Sequence, residues 1–225
     1  MNTQFDIPAP YVLGPALVLF ALHTTVRRRR RAPGWQGGPL AVRALTALYC
    51  AAVAWLTFFP LWVYTGAYRN QMPWTNQLNP IPLLTADATM LPNVIMFIPL
   101  GFLLPLLTRC TGPRQAATLA ALASLLVEGT QFAQYLAFGS GRAVDVNDLI
   151  ANTLGGLLGH TALHLSLRIT PLRNLLERCA LPGSRLRHQQ RHETTAPDAP
   201  DVADAADAAD RSGRSAAAPP QRRVR

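Results

Sequence analysis

The chain contains no lysine; all 21 of its basic residues are arginine, set against 12 aspartates and glutamates. Charged residues make up only 15% of the sequence, well below the roughly 25% usual in soluble domains. Cysteine is nearly absent as well. Cys50 lies in an apolar run, Cys110 beside Arg109 and Cys179 in an arginine-rich stretch. An odd, scattered set of this kind argues against a disulfide framework and a metal knuckle. There is no phosphate-binding glycine loop and no dinucleotide fingerprint, and neither Ser124 nor Ser140 has an adjacent histidine to act as its base. His160 and His164 stand at i, i+4, a spacing that can hold a metal, but no acid or cysteine accompanies them in the sequence. No metal and no cofactor is expected.

The formal charge of +9 comes without a helix–turn–helix, finger or RNA-binding signature, so nucleic acid is not an expected partner. Most arginines sit between or after apolar segments, as the basic flanks of membrane spans do. A cleaved signal peptide is not expected either, because Arg27 to Arg31 follow the first apolar run instead of preceding it.

What the chain does have is apolar length. Hydrophobic residues make up 49% of it, and about 18 to 25 consecutive apolar residues span a hydrocarbon core. Helices are predicted near 9–26, 40–63, 91–108, 116–138 and 147–167. The first is broken by Pro10 and Pro15 and ends in the polar His23, Thr24 and Thr25. The predicted fold is therefore all-α, a polytopic membrane helix bundle of about five transmembrane helices. Residues 1–39 hold the first span and an arginine-rich loop, 40–168 the main membrane domain, and 169–225 a basic, largely disordered tail. Beyond about residue 183 large apolar side chains almost vanish and an Asp-Ala-Ala repeat appears; such a segment cannot bury enough surface to offset its ordering entropy.

Arginine counting gives an orientation. Arg27 to Arg31, Arg109, Arg114 and the tail arginines fall in alternate connections, while 64–90 and 139–146 hold only Arg69 and Arg142. The positive-inside rule then puts the N-terminus outside and the C-terminus in the cytoplasm.

Polar residues gather at the predicted outer ends. Glu128 lies ten residues from the end of the fourth helix, about 15 Å deep at 1.5 Å per residue. A carboxylate at that depth must face a protein interior or a wet cavity, and is a functional candidate by default. Gln131 and Tyr135 continue its face outward. Asp145, Asp148 and Asn152 share one face at the start of the fifth helix, where the aspartates could equally be helix caps. Gly155 and Gly159 form a GxxxG pair extended by Ala151, a small face that lets helices approach closely. Pro99 and Gly101 lie mid-span in the third helix and should kink it.

The order Asn93, Phe97, Pro99, Gly101, then Glu128 and Gln131, then Arg142, Asp145, Asp148, Asn152, Gly155 and Gly159 resembles the VanZ-like family, as does the NPIP segment from Asn79. The resemblance covers roughly residues 45 to 167. It implies an integral membrane protein of the teicoplanin-resistance type. Asn93, Glu128, Gln131, Arg142, Asp145, Asp148 and Asn152 would form an outward-facing site. Its expected partner is an anionic membrane lipid or lipid-linked cell-wall precursor, with Arg142 offering a planar fork for phosphate. The alternative is a membrane enzyme acting on a phosphorylated lipid, with Glu128 or Asp145 as acid or base.

Overall fold

The computed structural model describes residues 3–69, 73–82, 90–140 and 143–187. Its elements are β1 (Gln4–Ile7), α1 (Ala9–Arg29), α2 (Gly37–Phe58), β2 (Leu61–Tyr64), β3 (Leu78–Asn79), α3 (Met90–Leu107), α4 (Pro113–Phe138), β4 (Val144–Asp145), α5 (Val146–Ser166) and α6 (Thr170–Cys179), with two short 3-10 turns between β2 and β3. Proline marks the first turn of α1, α4 and α6, where its fixed φ suits the helix and its missing N–H costs nothing. Gly139 ends α4 in the left-handed region, its N–H donating to Tyr135 O at 2.9 Å.

The second helix stops at Phe58, not at the predicted 63. Pro60 has no N–H to donate and biases Phe59 to the extended backbone it adopts. Leu61–Tyr64 pair instead, antiparallel, with Gln4–Ile7. Leu78–Asn79 pair in parallel with Val144–Asp145. Neither ladder was anticipated from the sequence, because partners so far apart leave no local periodicity. Together they gather the N-terminus, the α2–α3 connection and the α4–α5 connection at one end. The α1–α2 turn, the α3–α4 turn and α6 lie at the other. Arg27 to Arg31, Arg109 and Arg114 fall at this second end, and the described part of the first carries Arg69.

Large apolar side chains face outward as well as inward, and some polar ones are withdrawn from the surface. Leu19 is 66% exposed and Leu126 72%, while Glu128 is 5% and Asn152 1%. An apolar exterior with polar groups kept inside is what lipid as the solvent selects. By length and composition α1, α2, α3 and α4 can each cross a membrane. The fifth segment counted from the sequence, α5, has 21 residues and resolves into two faces. Ile150, Leu154, Leu158 and Leu165 point outward, and Asn147, Asn152 and His160 inward. The chain is a helical membrane protein.

α3 runs unbroken through Pro99 and Pro105, and α5 lies alongside it, running in the same direction. Glycine makes that approach possible. A Cβ on Gly155 would collide with Val94 O, one on Gly159 with Ile98 O, and one on Gly101 with Gly156 O. The predicted GxxxG face is thus a packing seam, extended by Gly156 and Gly101. Residues on the tail side of 168 also fold against the bundle. Leu181 N–H donates to Leu106 O and Arg185 N–H to Thr108 O, each at 3.0 Å. This strap closes a core of Val42, Leu103, Leu106, Leu163, Ala180, Leu181 and Leu186. The expected disordered tail otherwise falls on 188–225, outside the described residues.

Candidate functional site

One face of α4 is buried along its whole length: Ala116, Ala120, Ser124, Glu128, Gln131 and Tyr135, spaced three or four apart. The two alanines let α5 approach, with Ala120 against Gly156. From Ser124 outward the stripe turns polar, which fits an interior surface and not a lipid-facing one. Gln131 Nε2 donates to Thr57 O at 3.0 Å. That carbonyl belongs to the last turn of α2 and has no helical donor of its own.

α5 runs antiparallel to α4 and supplies the opposite wall. Asn152 Nδ2 donates to Ser124 Oγ at 2.9 Å, and Asn152 Oδ1, also buried, accepts no hydrogen bond among the described residues. One turn outward along both helices brings Glu128 to the level of Asp148, and the next brings Gln131 to that of Asp145. Asn93 of α3 joins at the Glu128–Asp148 level, its Nδ2 donating to Asp148 Oδ1.

Asp145 is the N-cap of α5, with Oδ1 accepting from Asn147 N–H at 2.8 Å. Its other oxygen, Oδ2, accepts from Asn79 Nδ2 at 3.0 Å, so Asp145 also ties the long α2–α3 connection to the helix mouth. Arg69 reaches the same end, donating through Nη2 to Leu136 O near the C-terminus of α4, where a cation is favoured.

Of the residues singled out from the sequence, Asn93 and Asp148 are in direct contact and Glu128, Gln131 and Asn152 are buried on facing helices. Arg142 lies outside the described residues. Two polar members, Ser124 and Asn79, are not marked as site residues by the sequence, whereas Asn147 belongs to the polar run from Arg142 to Asp148. Ser124 has no base beside it, but its i, i+4 relation to Glu128 puts it on the polar face. Asn147, 2% exposed, sits between the two aspartates. Asn79 is 66 residues from its partner Asp145, and nothing local signals that contact. His160 and His164 hydrogen-bond each other at 3.2 Å between their Nε2 atoms, well inward of this layer.

The Ser124–Asn152 bond yields a stability prediction. Ser124→Ala removes the one hydrogen bond the Asn152 side chain makes among the described residues. Detergent unfolding should show a loss of about 1 kcal/mol, at the lower end for buried unsatisfied groups because interhelical bonds in membranes are weak. Adding Asn152→Val should cost much less than the sum of the singles. Strict additivity would mean the two side chains do not share a bond.

The comparisons with known proteins bear on this same core. A family model described as VanZ/LLP1 matches residues 46–167, from within α2 to the foot of α5. Among similar proteins, Protein VanZ of Enterococcus faecium is 34% identical over 122 residues, which cover 54% of this chain and 73% of that protein. No solved structure matches. The matched span contains every residue of the polar layer and omits β1, α1 and α6; the chain is a member of the VanZ/LLP1 family.

Proposed function

We propose that the polar layer of α3, α4 and α5 is an outward-facing site for an anionic cell-envelope lipid or lipid-linked cell-wall precursor, through which the chain influences teicoplanin resistance. The carrying observation is the burial of Glu128, Gln131, Asn147 and Asn152 between helices whose outer faces are apolar. Polar groups in a membrane interior are costly and are retained where they meet a ligand, an ion or one another. The unsatisfied Asn152 Oδ1 leaves an acceptor open to a donor on the ligand, and Arg142, three residues before Asp145 in the sequence, would supply a fork for phosphate. Asp145, with both oxygens occupied by neutral donors, positions the mouth. In the alternative reading, a membrane enzyme acting on a phosphorylated lipid, the buried Glu128 would be an acid or base.

The orientation belongs to the same proposal. The arginine-rich end faces the cytoplasm, and the N-terminus and polar layer face outward. With Cys50 and Cys179 replaced by alanine, a cysteine at Thr75 should react with a membrane-impermeant maleimide applied to intact cells, and one at Thr111 should not. Both positions are exposed. Cys110 adds little background, because it is buried and burial pushes its thiol pKa up, lowering the reactive thiolate. Labelling at Thr111 alone would reverse the orientation.

The functional test is lipid co-purification in mild detergent, paired with teicoplanin susceptibility at matched membrane expression. Wild type should retain an anionic lipid or precursor above its share of the membrane, and Arg142→Ala should lose it together with any resistance. Bulk lipid in membrane proportions would refute the proposal. Glu128→Gln separates the two chemistries: a binding protein keeps its lipid and its phenotype, whereas an enzyme keeps the lipid and loses the phenotype.

A further inference from the structure

The α1–α2 turn carries a second polar arrangement, at the opposite end from the polar layer and outside the span matched by the family. Trp35, buried in the turn, has the Arg43 guanidinium 4.2 Å from its ring centroid and that of Arg27 at 5.4 Å. His23 packs on the same ring edge-on at 5.0 Å, and Arg43 Nε donates to Gly34 O at 3.1 Å. Arg27 and Arg43 therefore hold the turn together. Arg28, Arg29 and Arg31 are not part of that cluster. With Thr25 and Gln36, all of them exposed, they line an open cavity of about 510 Å³.

Among the described residues no carboxylate pairs with these three cations; the salt bridge found there is Arg173–Glu177 in α6. Three like charges around one cavity repel each other until an anion enters. The backbone points the same way. Arg31 has φ 50, in the left-handed region that glycine occupies freely and arginine only at a cost. It closes α1 with Arg31 N–H on Arg28 O and Ala32 N–H on Arg27 O, both at 3.0 Å, a helix end where glycine is usual. A strained arginine at the rim of a cationic cavity suits a ligand better than it suits the turn.

Guanidinium forks match phosphate oxygens in pairs, and the Gln36 amide can add a neutral donor. Thr25 donates back to Ala21 O at 2.8 Å, so its hydroxyl proton is already used. A phosphate could arrive on a lipid or free in solution. The apolar side of α1 decides between them: Val18, Leu19, Leu22 and Val26 are exposed and lead down the helix to the cavity, a surface for acyl chains. We propose that the cavity holds the phosphate of an anionic phospholipid head group.

The test uses the full chain in detergent, titrated with phosphatidylglycerol, with phosphatidylcholine and with inorganic phosphate, and read by native mass spectrometry and thermal unfolding. Phosphatidylglycerol should bind and raise the unfolding temperature, and the other two should not. Arg28→Gln and Arg29→Gln should each weaken binding about fivefold, and the triple Arg28→Gln/Arg29→Gln/Arg31→Gln on the order of a hundredfold. Arg31→Gly should weaken binding while the lipid-free unfolding temperature stays level or rises, which separates ligand loss from misfolding. The pair Arg109→Gln/Arg114→Gln, at the same end of the bundle, should leave binding unchanged. Wild-type binding by the triple variant, or an equal loss in the Arg109/Arg114 pair, overturns the site. Equal protection by inorganic phosphate overturns the lipid.

Discussion

Gly159→Ala should cost about 3 kcal/mol or more and deprive the bundle of its detergent stability, while Gly129→Ala in the same protein should be neutral or mildly stabilising. At Gly159 an added Cβ would land on Ile98 O and 2.8 Å from Phe102 N. Both are backbone atoms of α3, so no side chain can swing aside, and α3 and α5 would have to separate along their shared seam. Overpacking that displaces backbone lies at or above the top of the usual range of about 1 to 3 kcal/mol. At Gly129 a Cβ meets nothing within 4 Å, so alanine there brings only its better helix propensity, up to about 1 kcal/mol. Tryptophan fluorescence during thermal unfolding, with monodispersity after heating, reads both. Equal stability of the two variants would contradict the α3–α5 contact.

Replacing Asp145 by alanine should destabilise the chain by about 2 kcal/mol, and replacing it by asparagine should cost less than about 0.5 kcal/mol. Alanine removes the cap on Asn147 N–H and the tie to Asn79 together; loss of a cap is worth about 1 kcal/mol and loss of a hydrogen bond about as much again. Asparagine caps as well as aspartate, and Asn79 can meet it by turning its own amide to present oxygen. A functional contrast follows. If Asp145 only positions the mouth, Asp145→Asn keeps lipid retention while Arg142→Ala loses it. If the two form an ion pair, both single variants fail alike and the double adds little. The second pattern would show that the carboxylate's charge is used.

The membrane bundle was legible because its signals are local. Long apolar runs, arginine flanks and a GxxxG pair each lie within one segment, and lipid forces such segments to be helices whatever they pack against. Four helices begin and end within a few residues of their predicted limits. Glu128 could likewise be assigned to an interior from depth alone, since no neighbour was needed to say that a carboxylate avoids hydrocarbon. The sequence by itself therefore determined the class, the interior faces and the seam. Tertiary structure decided what one segment cannot encode. The Leu61–Tyr64 strand exists because Gln4–Ile7 lies beside it, and an edge pair gains its hydrogen bonds only once α1 and α2 have folded back on each other. The Asn79–Asp145 and Asn93–Asp148 contacts cross 66 and 55 residues, so their geometry follows from how α3, α4 and α5 assemble. Residues 170–187 looked like the start of a polar tail until the open floor of the bundle gave Leu181 and Leu186 a core to enter. In each case the decisive free energy comes from a surface that another part of the chain provides.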